Sequence, residues 1–319
     1  VDALKMKGGV QAMQIQVATW NIAAVNNNPF EYWVSYPHDS YDTLMQSVEE
    51  FLENGEKDFP IAVAFNDDMF QELRNELKVL GVNGLDKLDT YWFDDFRHRK
   101  AVSEFLKDKA LGVKRLISMP DRITNTIFLS TGGVRMRPTV MNAYDGSLPS
   151  IDAWWSQWRD FMFHTAVDVV QGSQATHCGP VIVGNLISPL SRAKYPAITV
   201  DEQEISTALQ ILCLAIMDAI LVLVLNSAAP GVWEDVRRSL CDALILNKDA
   251  RVCQILATAY ADTDIIFIQE AAAAFAERVR LEPALHRRYA VLQPRNLDGK
   301  RDQNSLILIA RARFHEATA

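Results

Sequence analysis

The sequence predicts an α/β (α+β) chain with strands at its two ends and helices between them. Three observations carry that reading. Residues 14–24 hold the β-branched and aromatic run Val17-Ala18-Thr19-Trp20, and "DIIFIQ", Asp264 to Gln269, has the unbroken apolar pattern of a fully buried strand. "SLILIARA", Ser305 to Ala312, repeats that pattern near the other end. From about residue 37 to 260, apolar residues instead recur at helical spacing.

The elements follow in chain order. Residues 1–12 read as a loose tail and 14–24 as a strand, broken by the turn residues Asn26-Asn27-Asn28-Pro29. Ser40 to Asn54 reads as a helix stopped by Gly55, and Asn66 to Leu80 opens on a capping residue and ends at Gly81. Asp94 to Leu111 is a third helix. Ile151 to Gln171 is a fourth, with an aromatic stripe of Trp154, Trp155, Trp158 and Phe161. Asp201 to Leu225 is a fifth, capped by Thr199 or Asp201, and Pro230–Leu246 and Asp249–Tyr260 add two more. Loops rich in Pro, Gly and Ser lie at 130–150 and 172–197. Beyond the 264–269 strand, a helix spans Ala271 to Arg280, with a second reaching Arg288. Tyr289–Leu292 and 305–312 are strands joined through 296–304, where Asp298-Gly299 is a hairpin signal. Residues 1–36 and 262–319 then form one sheet core, interrupted by a helical insertion of residues 37–261.

Composition narrows the function. The 319 residues are 49 % apolar with a formal net charge of -8. A sizeable core is available, and an acidic chain does not suit nucleic acid, whose binding comes mostly from phosphate neutralisation. The four cysteines show no CxxC spacing and three fall in apolar helical stretches, so buried thiols in a reducing intracellular compartment are expected. Val1 in place of a start methionine reads as a processed or trimmed product, and a removed transit peptide would add an organelle address. Leu209–Leu225 is the one membrane candidate. At 17 residues with Asp218 at its middle it reads as a buried helix, and Asp218 then needs a hydrogen-bonding partner.

Two strands end in oxygen-bearing side chains: the first at Asn21, the second at Gln269-Glu270. Ligands of open sheets bind beyond the carboxyl ends of strands, and an amide beside a carboxylate gives hard oxygen donors for Mg²⁺ or Mn²⁺. Each residue also has a plainer reading. Asn21 would cap the turn after it, Glu270 would sit in the first turn of the next helix, and Asn26 to Asn28 would simply form a turn. The pairs Asp67-Asp68 and Asp94-Asp95 read as helix-start carboxylates. His164 reads as a core or semi-buried histidine. The basic set of Arg97 to Lys100, Arg115, Arg122, Arg135 and Arg137 reads as a solvated face. "STGG" at 130–133 is too short for a phosphate loop, and His177-Cys178 is too small a pair for zinc.

"ATWNIAA", then "DIIFIQEA", then "RDQNSLILIAR" together resemble the endonuclease/exonuclease/phosphatase superfamily. The resemblance covers a minor part of the chain. It implies an αββα sandwich, of which this chain carries part, and a divalent-metal-dependent phosphoester hydrolase of the phosphatase or nuclease class. It implies Asn21 and Glu270 as the catalytic residues and metal ligands, with Mg²⁺ or Mn²⁺ as cofactor. Asn26 and Asn304 are the candidate substrate-binding residues. The spacing departs from the family, because 249 positions separate Asn21 from Glu270. Its later motifs, Gly-Asp-x-Asn and Ser-Asp-His, do not occur before Ala319, so the site reads as incomplete in this chain. A phosphorylated small molecule or lipid headgroup is favoured over nucleic acid as substrate. A partner chain or a C-terminal half would cover the sheet. The rival reading is a non-catalytic scaffold with the helical insertion as its binding module.

Overall fold

A computed structural model of the chain describes residues 14–23, 28–31, 34–169, 179–295 and 303–314. The fold is mixed α and β, and the chain divides into two compact units. Residues 1–26 and 242–319 make the first, and residues 27–241 the second. Both boundaries differ from the expected 36/37 and 261/262. The helix Lys248–Thr258 belongs with the sheet because its Val252, Cys253 and Leu256 pack into one core with Ile266, Ile268, Leu306 and Leu308. The segment before residue 37 belongs with the helices: the Tyr36 hydroxyl bonds Ser239, and its ring meets Tyr41 edge-on.

The strands are β1 (Val17–Asn21), β2 (Thr126–Phe128), β3 (Val134–Met136), β4 (Ala166–Val167), β5 (Val181–Ile182), β6 (Ile265–Ala271), β7 (Tyr289–Leu292) and β8 (Asn304–Ala310). The sheet unit is a four-stranded sheet of order β1-β6-β8-β7. β1 runs parallel to β6, with Val17 opposite Ile265 and Asn21 opposite Gln269. β6 with β8, and β8 with β7, are antiparallel. The expected Asp298-Gly299 turn lies outside the described residues, but the strands flanking it pair from Tyr289 opposite Ala310 to Leu292 opposite Ile307.

Residues of alternate parity point to opposite faces of a sheet. Ile266, Ile268, Leu306, Leu308 and Ala310 face the helices Lys248–Thr258, Phe275–Leu281 and Pro283–Arg288, and all are buried. Among the described residues the other face is only partly covered, with Ile265, Ile307 and Ile309 of intermediate exposure. Val17 is 58 % exposed and Phe267 40 %. The unbroken apolar run of β6 therefore does not mean burial on both sides, as the sequence pattern suggested.

The second unit is built around the helix Ser206–Ala228. Ile211, Leu214 and Val224 are buried, because a helix apolar all round needs cover on every side. It is long and apolar enough to cross a membrane, yet 83 % of its most apolar window is buried within the protein. The expected helix from Asp201 is split at Ile205. Its first part, Val200–Glu204, is closed by a capping box between Thr199 and Glu202. The helix expected over 94–111 is likewise broken into short turns. There Arg99 is held by Asp95 and Asp108, and the Asp58 carboxylate takes the N–H groups of Val102 and Ser103. The Trp-bearing helix Ile151–His164 starts at the expected Ile151, capped by the Ser150 side chain, but stops seven residues before the expected Gln171.

Candidate functional site

The sheet unit brings the oxygen-bearing strand ends together by pairing β1 with β6 in parallel. The pairing runs one residue past Asn21, where the Ile22 N–H donates to the Gln269 carbonyl at 3.0 Å. The Asn21 amide oxygen then accepts the Ala23 N–H at 2.8 Å, and Ala23 turns into the left-handed region at φ +48°. Short amides favour such closures two residues on. On the neighbouring strand the register shifts between Ile268 and Ala271, and inside that bulge Glu270 has φ +52°. Ala23 and Glu270 are two of the three non-glycine residues with positive φ among the described residues. Left-handed backbone costs a side-chain-bearing residue about 1–2 kcal/mol, and such strain gathers at functional sites.

Glu270 therefore lies in a strand bulge. The expected first-turn helical position is corrected: the next helix begins at Phe275, whose N–H closes on the Ala272 carbonyl.

A third group completes the corner. Lys248 opens the helix Lys248–Thr258, and its ammonium donates to the Ala23 carbonyl. Burial pushes the Lys248 ammonium below its ordinary range, against the opposing pull of Asp249 and Glu270. Burial also pushes the Asp249 carboxyl up, while Arg278 and then Lys248 draw it down. The sequence reading passed over Lys248. One signal was available, since a cation at the first position of a helix opposes the macrodipole and so asks for another reason to be there.

The remaining candidates fall as follows. Asn26 lies outside the described residues, as does the His177-Cys178 pair. Asn304 is buried at the start of β8, and its amide donates to the Ala271 carbonyl at 3.2 Å. It braces the bulge next to Glu270. His164 is half exposed at its side chain and bonds Glu76 at 3.0 Å on the surface of its unit, so it is no core histidine. Arg137 is fully buried and Arg97 and Arg99 are paired with carboxylates, so the basic set is not one solvated face. Asp67 and Asp68 do open a helix, capped by the Asn66 side chain. Asp94 instead closes one and Asp95 follows it. "STGG" is the turn joining β2 to β3, with Gly132 and Gly133 at φ +87° and +84°.

Glu270 supplies a carboxylate, and the Asn21 oxygen, with two lone pairs, keeps one beyond its bond to Ala23. Mg²⁺ holds most of its six positions with water and substrate oxygens and needs only one or two protein carboxylates. No group of three or more His, Cys, Asp or Glu side chains that could hold a metal ion occurs among the described residues.

Comparison with known proteins bears on the other unit. Residues 58–238 match a family described as a domain of unknown function, DUF8234. The chain belongs to the DUF8234 family. The matched span lies wholly within the helical unit and takes in its central helix, so the DUF8234 match does not reach the corner of Asn21, Lys248 and Glu270. No curated protein and no solved structure matches the chain.

Proposed function

We propose that the sheet unit is the core of a divalent-metal-dependent phosphoester hydrolase of the endonuclease/exonuclease/phosphatase type. The observation that carries this reading is the parallel pairing of β1 with β6, which sets Asn21 beside Gln269 at matched strand ends. The strained bulge at Glu270 supports it. Glu270 is the metal ligand, and the Asn21 amide positions the metal or the phosphoryl group. Mg²⁺ or Mn²⁺, when bound, supplies charge stabilisation for an in-line displacement at phosphorus. A net charge of -8 favours a phosphorylated small molecule or lipid headgroup over nucleic acid. In the αββα arrangement a second sheet would pack on the partly covered face of the sheet.

The test is hydrolysis of bis-p-nitrophenyl phosphate with and without Mg²⁺. Turnover that needs Mg²⁺ and disappears in Glu270→Gln supports the reading. Absence of turnover, or turnover unchanged in Glu270→Gln, rejects it.

One observation favours a second reading, a non-catalytic interaction protein. The partly covered sheet face carries Val17 and Phe267, and such apolar surface suits a protein partner.

A further inference from the structure

We propose that the free edge of β1 docks a second copy of this chain, by antiparallel pairing of the two β1 strands about a two-fold axis beside Thr19. This contact stands independently of the hydrolase reading and engages only the backbone of Asn21. β1 ends the sheet order β1-β6-β8-β7, so one side of it has no neighbouring strand. On its paired side the Gln16 carbonyl accepts the Ile265 N–H at 3.1 Å, and the Ile22 N–H donates to the Gln269 carbonyl at 3.0 Å. With Val17 opposite Ile265 and Asn21 opposite Gln269, this parallel ladder spends the backbone groups of Ala18 and Trp20 on β6. The N–H and carbonyl groups of Val17, Thr19 and Asn21 therefore point out of the sheet edge. Among the described residues no backbone partner meets them there. All three residues are exposed, Val17 by 58 %.

Symmetry selects the occupant. An isologous dimer needs a surface that is its own complement. Thr19 is the middle residue of Val17–Asn21, so a two-fold axis beside it sets Thr19 against Thr19 of the second copy and Val17 against Asn21. These are the residues whose backbone groups face outward. Each outward N–H then meets an outward carbonyl, as in the hydrogen-bonded pairs of an antiparallel ladder. The two sheets join into one continuous sheet. Charge permits the contact. Two chains of net charge -8 repel one another, so copies must meet where neither carries charge. Residues 14–23 hold no charged side chain.

The opposite edge of the same sheet is guarded and this one is not. Exposed edges invite strand addition, and proteins blunt them with charge, proline, bulges or cover. At β7 the register with β8 points the Tyr289 carbonyl outward, and the Arg311 guanidinium donates to it through Nε at 3.1 Å. Pro294 follows soon after that strand. β1 carries no charge and no proline, and its register with β6 is unbroken from Val17 to Asn21. An unguarded, uncharged and self-complementary edge is what strand pairing between copies requires.

The experiment is sedimentation velocity on the full chain, from low micromolar to several hundred micromolar. A seam of one short strand is small, so a dimer that dissociates in the micromolar range is expected. Thr19→Lys sets like charges face to face across the axis and should weaken dimerisation roughly fivefold or more. An unchanged melting temperature establishes that this variant folds. Cysteine cross-linking tests the register without disturbing charge. In a Cys178→Ser background, Thr19→Cys puts the two Cα atoms about 5.5 Å apart, within disulfide reach, and Val17→Cys puts them roughly 14 Å apart. With oxidised glutathione, Thr19→Cys should give a disulfide-linked dimer on non-reducing gels and Val17→Cys should stay monomeric. Wild type that remains monomeric at every concentration overturns the proposal. A dimer that Thr19→Lys leaves intact overturns it too, as does Thr19→Cys failing to cross-link faster than Val17→Cys.

Discussion

Arg137 donates through Nε to the Asp218 carboxylate at 2.7 Å, and both side chains are 1 % exposed. The pair fixes the apolar central helix against the segment following β3. Asp218 also accepts from Thr139 at 2.7 Å and from the Trp158 indole at 2.9 Å, while Arg137 reaches Thr124 and Asp121. Every partner matters, because a buried charge that loses its counter-charge keeps the full cost of desolvation. Arg137→Met should therefore lower unfolding free energy by about 3–5 kcal/mol in urea melts. The double variant Arg137→Met/Asp218→Leu should regain much of that loss. If the double variant is as unstable as the two single losses added together, the pair is not coupled as described.

The second prediction concerns acid sensitivity. Burial raises the Asp58 carboxyl, but bonds from the Ser103 hydroxyl and the Val102 and Ser103 N–H groups, with Lys100, together hold it below its ordinary range. A carboxylate depressed in the folded state stabilises above its unfolded pKa and loses that contribution as pH falls through the folded value. Asp58→Ala should cost about 1–2 kcal/mol at pH 7, the size of a lost cap. The gap to wild type should close as pH falls below about 4. Parallel stability curves down to strong acid would show that ionisation of Asp58 is not the cause.

The third prediction separates strain from chemistry at Glu270. Glycine adopts positive φ without a Cβ clash, so Glu270→Gly relieves the φ of +52°. We expect its stability to stay level with wild type or rise by up to about 1 kcal/mol, and Glu270→Ala to be the less stable of the two variants. Any rise in melting temperature caused by Mg²⁺ should vanish in both. A large loss of stability in Glu270→Gly would make the carboxylate a structural group.

The fourth prediction concerns thiols. Cys213, Cys241 and Cys253 are free and buried. Burial raises Cys213 and Cys241 and pushes Cys253 up to about 11. Reactivity follows the thiolate, so all three should resist a maleimide at pH 7 in the folded chain. In a Cys178→Ser background, mass spectrometry should find no label until denaturant is added, and then three. Rapid native labelling of any of them would mean that its unit opens readily.

The sequence by itself determined much of the fold, because the governing physics is local. The short β-branched, apolar runs of Val17–Trp20, Ile265–Ile268 and Leu306–Ile309 place all three in strands, and they do share one sheet. The caps Asn66 and Thr199 sit where short polar side chains should start helices. An apolar helix with one aspartate at its centre required burial and a partner for Asp218, and Arg137 meets that need. Tertiary structure alone decided the rest. Neither periodicity nor propensity states which face of a sheet is covered, so the exposure of Phe267 could not be read from its run of apolar neighbours. A bulge depends on the register of the partner strand, so the positive φ of Glu270 within β6 could not be read from its own sequence. Lys248 shows the same limit at long range. Its meaning lies in reaching Ala23 across 225 positions of sequence, a proximity set by strand pairing and helix packing and by no local pattern.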